Sequence, residues 1–201
     1  METKSQTNTA TRDRIIAAAT DQFLAHGFEQ TTTRDIAKAL NITQPALYHY
    51  FGDKETLFVE VIKVVGQQVA DEMLAILAQP YPQPVDQLVD MTKVIVNRHP
   101  RDVFTLIHGS FDVLSPDSKQ TLGMVFGRYY VGPIARFFDQ EAMQLRQHVD
   151  AKMASAFYMT SLAPLFSDFH ALTDARDLTT RVQNLLDLIL YGVAHRWVLR
   201  V

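Results

Sequence analysis

The sequence predicts an all-α protein, with an N-terminal three-helix unit followed by a larger helical region. Three observations carry this. Apolar residues recur at i, i+3 and i+4 through most of the 201 residues. No stretch alternates apolar and polar residues, and no Asn-Gly or Asp-Gly pair offers a hairpin turn. Residues that start and stop helices fall between the apolar stretches.

Residues 1–10 are polar and are expected to form a disordered arm. A first helix from about Thr11 to His26 follows from Ile15, Ala19 and Phe23 at i, i+4, i+8, with Asp13 in its first turn. Gly27 offers a left-handed stop, and Phe28 can pack back. In "TTTRDIAKALN", Thr32 with Asp35 three residues on makes a capping-box-like start. Ile36, Ala37 and Leu40 face inward. After the turn "NIT", Thr43 is an N-cap and Pro45 sits in the first helical turn, where its missing N–H costs little. Leu47 and Phe51 point inward at i, i+4.

Asp53 caps a fourth helix through Leu57, Val61, Val65, Val69 and Met73 to about Ala78, with Gly66 as a point of flexure. Three prolines in "QPYPQP" end it. Further helices are expected at about 85–98, 102–114, 117–138 (kinked near Gly132-Pro133), 150–171 and 176–199. The expected division is an arm over 1–10, a three-helix domain over 11–58, and a larger helical domain over 59–201.

Composition narrows the function. Net charge is -3, so the chain is not globally basic, and any nucleic-acid site must be a local patch. Even residues 1–63 carry seven basic and eight acidic side chains. With no cysteine, no disulfide or thiolate metal site is available. The polar N-terminus has no secretory signal, and no run suggests a membrane span, which fits a cytoplasmic protein without a membrane partner. The histidines show no metal-ligand spacing, so no metal is expected. Ser110, Ser115 and Ser118 lack a nucleophile-elbow context, no glycine run cradles phosphate, and no catalytic residue or cofactor is expected.

Two short helices across a tight turn read as a helix-turn-helix, whose second helix enters the major groove. Its outward face carries Gln44, Pro45, Ala46, Tyr48 and His49. Gln can bond an adenine edge, Ala or Pro can touch a thymine methyl, and Tyr or Lys can hold phosphate.

The stretch "GFEQTTTRDIAKALNITQPALYHYFGDKETLF" resembles the DNA-binding domain of the tetracycline-repressor (TetR) family over about residues 11–60. The resemblance implies an all-α homodimer that represses transcription and leaves its double-stranded DNA operator when a small-molecule effector binds. It implies DNA contacts from Thr33 and Arg34, base contacts from Gln44, Pro45 and Ala46, backbone or base contacts from Tyr48, His49 and Tyr50, and a phosphate contact from Lys54. Thr43 is counted with this set. Activation, or an interaction protein of the same fold without tight DNA binding, remain the alternatives.

Downstream, Phe104, His108, Phe111, Phe126, Tyr129 and Tyr130 suggest an aromatic-lined cavity for a mainly apolar ligand. The last two helices are apolar around more than half their circumference. Phe157, Tyr158, Leu162, Leu185, Leu188, Ile189 and Gly192 are therefore expected at a dimer seam.

Overall fold

A computed structural model of the chain describes residues 2–99, 103–166 and 177–192. Among these residues every regular element is helical. α1 (Glu2–Gln30) buries Ile15, Ala19 and Phe23 completely. It breaks at Gly27, whose φ of 79° suits glycine. Beyond the break, the Phe28 ring lies 5.1 Å from that of Phe58. The helix also extends back to Glu2, where the sequence points to an arm. No glycine or proline interrupts residues 2–26, so the helix runs on into the polar residues.

α2 (Thr33–Ala39) is capped by Thr32, whose hydroxyl accepts from the Asp35 N–H at 3.1 Å. Asn41, at φ 55°, turns the chain into α3 (Gln44–Phe51), capped by Thr43. α4 (Lys54–Leu77) is capped by Asp53 and buries Leu57, Phe58, Val61, Ile62, Val65, Val69 and Met73. That face is too wide for one neighbour. α4 is the axis of the molecule, packed by α1 on one side and by α5 (Pro84–Arg98), α7 (Pro116–Phe126) and α8 (Gly132–Phe138) on the others.

Both ends of α4 are tied down. Near its start, the Glu55 carboxylate accepts from Ser115 N at 2.9 Å and from the Ser115 hydroxyl, at the head of α7. These bonds, with further help from Ser118, hold the Glu55 carboxyl below the usual carboxylate range. At its end, buried Gln87 donates from Nε2 to the carbonyls of Ile76 and Gln79, both at 3.2 Å, and Leu77, at 3.3 Å. Gln87 Oε1 in turn accepts from Gln140 at 3.1 Å.

Several downstream helices are shorter than the sequence pattern suggests. α6 (Val103–Gly109) gives way to turns before residue 114. The expected helix over 117–138 splits into α7, a π-helical turn (Gly127–Val131) and α8. The wider turn precedes Pro133, which has no N–H to continue an α ladder. α9 (Ala151–Ser161) ends before Pro164, which sits in a 3-10 turn. α10 (Leu178–Tyr191) stops at Gly192, at φ 87°.

Gly66 is not a flexure point. A Cβ there would lie 3.2 Å from ring atoms of both Tyr129 and Tyr130, so glycine lets α4 approach the π-helical turn.

Candidate nucleic-acid interface

α2 and α3 form one unit because each hides one face. Ile36 and Ala37 of α2, and Leu47 and Phe51 of α3, join the core with α1 and α4. Arg12 adds a clasp: its guanidinium bonds Glu60 at 2.7 Å and lies 5.2 Å from the Phe51 ring centre. What remains outward on α3 is Pro45, Tyr48 and His49, all exposed, with Gln44 and Ala46 half-buried. Tyr48 is 37% exposed although it is large and aromatic.

Thr33 stands differently from the sequence expectation. It is only 5% exposed, because Gln44 and Tyr48 reach over it. Gln44 Nε2 donates to Thr33 Oγ1 at 2.8 Å, and Tyr48 Oη lies 2.9 Å from the same oxygen. The Thr33 side chain therefore lies beneath Gln44 and Tyr48 rather than on the outward surface. Thr43 is exposed, but its hydroxyl is engaged in accepting the Ala46 N–H at 3.3 Å. Tyr50 is half-buried against the core, with its ring 5.8 Å from that of His49.

Arg34 is exposed at the start of α2. With Lys38, Asn41, Ile42 and Gln44 it lines a recess of about 360 Å3 between α2 and α3. Lys38 and Asn41 were not singled out by sequence. The i, i+4 spacing of Arg34 and Lys38 is the signal that finds the lysine. Lys54 Nζ sits 4.3 Å from the centre of the Phe28 ring and 3.4 Å from the Glu29 carbonyl. Partial burial lowers its pKa, against the opposing pull of the Glu29 charge.

A second, larger cavity of about 490 Å3 lies where the end of α1 meets α6. His26–Gln30 form one wall, Thr105, Leu106, Gly109 and Ser110 another, and Ala163 and Phe166 a third. Of the aromatic set expected from sequence, Phe111, Phe126, Tyr129 and Tyr130 do not line it. Tyr130 is completely buried, with Oη 2.9 Å from His99 Nε2 and its ring stacked 5.5 Å from Phe126. Phe111, Phe126 and Tyr129 pack half-buried against the core. These rings fill space because α4 approaches so closely at Gly66. The side chains of Phe104 and His108 lie outside the described residues.

The expected dimer seam also divides. Tyr158 is completely buried and bonded to Thr92 Oγ1 at 2.8 Å; Leu162 and Leu185 are buried too. Those three belong to the chain's own core, where α9 packs on α8 and α10 on α5. Phe157, Leu188 and Gly192 are exposed and Ile189 is half-buried. Among the described residues no helix is long and apolar enough to cross a membrane, and no cluster of three potential metal ligands occurs.

Residues 15–61 match the model of the bacterial regulatory proteins of the tetR family. Over those residues the chain carries the tetR-family module. The match covers all of α2 and α3. The probable acrEF/envCD operon repressor of Escherichia coli K12 is 45% identical over 51 residues, which is 25% of this chain and 23% of that protein. The chain thus aligns with less than a quarter of that relative's length. The uncharacterized HTH-type transcriptional regulator YdgC of Bacillus subtilis is 21% identical over 196 residues, covering 90% of this chain and 92% of that one. The fold as a whole is that of Thermus thermophilus FadR, a tetR-family transcriptional repressor solved with lauroyl-CoA. The TM-score is 0.60 at 24% identity, covering 94% of this chain and 98% of that one. The family and these neighbours are transcriptional regulators.

Proposed function

We propose that the protein is a homodimeric transcriptional repressor that binds a palindromic double-stranded DNA operator and is released by a small, mainly apolar effector. It acts in the cytoplasm, where bacterial DNA lies. The observation that carries this reading is the outward face of α3. A helix capped at Thr43 and anchored by Leu47 and Phe51 turns Gln44, Pro45, Ala46, Tyr48 and His49 away from the core. Arg34, Lys38 and Lys54 surround it with positive charge, enough for a local phosphate-binding patch on an acidic chain. Residues 11–58 carry these contacts and 59–201 the regulatory part, with α4 running through the division.

The dimer reading rests on apolar side chains left in solvent. Met153 and Phe157 sit one turn apart on α9, and Leu188 and Tyr191 one turn apart on α10. Phe157 is 59% and Tyr191 69% exposed, a pattern that a second copy would cover. The effector reading rests on the cavity at the end of α1. Its Phe28 and Glu29 walls also hold Lys54, so an occupant there acts on a proposed phosphate contact. The FadR neighbour was solved with lauroyl-CoA, of which the acyl chain is the apolar part.

Selection from a random duplex library tests the reading. The expected result is an enriched, two-fold-related motif whose affinity falls steeply with salt. Recovery of no such motif rejects it.

A further inference from the structure

Thr33 is shielded from solvent, yet its hydroxyl sits at the centre of a three-way contact between α2 and α3. Gln44 Nε2 is 2.8 Å from Thr33 Oγ1 and 3.2 Å from Tyr48 Oη, and the two hydroxyl oxygens are 2.9 Å apart. An amide nitrogen only donates, so both hydroxyls act as its acceptors. The amide is planar, with its nitrogen and oxygen on opposite prongs. Turning Nε2 toward two hydroxyls turns Oε1 away from them. No hydrogen bond among the described residues takes up Oε1.

We propose that Thr33 is a specificity-determining positioning residue: it holds the Gln44 amide so that Oε1 faces the major groove and reads a base amino group. This rests on the DNA-binding reading above. In the major groove only adenine N6 and cytosine N4 offer amino donors; guanine O6 and N7 and thymine O4 are acceptors. An outward carbonyl oxygen bonds the first pair and opposes lone pair to lone pair against the second. An unrestrained glutamine turns over and accepts or donates as the base requires. When the Thr33 proton is committed to Tyr48 and the phenolic proton points outward, both oxygens offer Gln44 only lone pairs, and that freedom is removed.

The same hydroxyl prepares Tyr48. Thr33 receives the Gln44 proton and has Tyr48 Oη within reach of its own. With Thr33 donating there, the phenolic proton is left for a backbone phosphate. One threonine beneath the surface thereby sets both a base-reading atom and a register-fixing donor.

The test uses the full chain and the duplex recovered by selection. Gln44→Ala first identifies the base pair at which preference is lost. At that position, replacing adenine with unsubstituted purine, or cytosine with 2-pyrimidinone, removes only the amino group. Wild-type affinity should fall about tenfold. Thr33→Val, which keeps the shape without the hydroxyl, should shrink that loss to about twofold, on top of whatever uniform loss on every duplex follows from the freed Tyr48. Thr33→Ser should restore it. Gln44→Glu, which can only accept, should keep the sensitivity to amino removal even as total affinity drops. Wild-type indifference to the missing amino group overturns the inference, as does a Thr33→Val variant that discriminates as sharply as wild type; in both cases DNA binding itself stands. Failure to select any duplex overturns both readings.

Discussion

His99 closes α5 with its ring buried, one nitrogen facing Tyr130 Oη and the other, Nδ1, without a hydrogen-bond partner. Burial pulls its pKa from 6.5 down to about 4. The unfolded chain therefore takes up a proton below pH 6.5 that the folded chain refuses until about pH 4. Because the folded value is depressed, the stability owed to neutral His99 is fully present above pH 6.5 and is lost as pH falls toward 4. At about 1.36 kcal/mol per pH unit, the whole loss is roughly 3 kcal/mol, and roughly 2 of it falls between pH 6.5 and 5. The assay is urea unfolding at fixed protein concentration and stepped pH, on wild type and on His99→Gln. Glutamine does not titrate and can still accept from Tyr130. The wild type should lose roughly 2 kcal/mol more than the variant between pH 6.5 and 5. Parallel pH profiles would refute the burial argument, since the remaining carboxylates are common to both proteins.

Gly66→Ala places a methyl 3.2 Å from two tyrosine rings, one of them pinned to His99. Crowding of about 1–3 kcal/mol outweighs a helix-propensity gain of about 1, so thermal unfolding should show net destabilisation. A stabilised variant would show that the rings yield freely. Phe157→Glu combined with Tyr191→Glu charges an exposed apolar surface without touching the core. Sedimentation should show monomer with native helicity, and an intact dimer would move the seam elsewhere. Lys54→Ala should weaken binding to every duplex alike and reduce the salt slope by about one. A loss confined to one sequence in a titration against matched and mismatched duplexes would instead make Lys54 a base reader.

What could be read in advance was local. Thr32, Thr43 and Asp53 declare their helix starts because a cap and its target lie three residues apart, and the inward pair Leu47 and Phe51 declares the outward face of α3. Long-range choices left no such mark. Thr33 reads as a surface residue until Gln44, eleven residues on, folds over it. Gly66 reads as slack until the π-helical turn is packed against it. Aromatic composition suggested a cavity over 101–138, but Tyr130 is core because His99, 31 residues away, takes up its hydroxyl. The apolar width of the α9 segment was legible. Which of Phe157 and Tyr158 faces outward was not, because the deciding partner is Thr92 on α5.

The double tethering of α4 restricts how chain length can drift in descendants of this protein. One residue inserted between Leu57 and Gly66 would rotate all that follows by about 100° and advance it by about 1.5 Å. A side chain would then stand where Gly66 meets the tyrosines, and Gln87 would confront the wrong carbonyls, while Glu55 still held Ser115. No adjustment at one end can repair the other. Changes of length are therefore expected to be tolerated in stretches such as 141–149 rather than within α4, whose residue count sets the spacing between its two tethers.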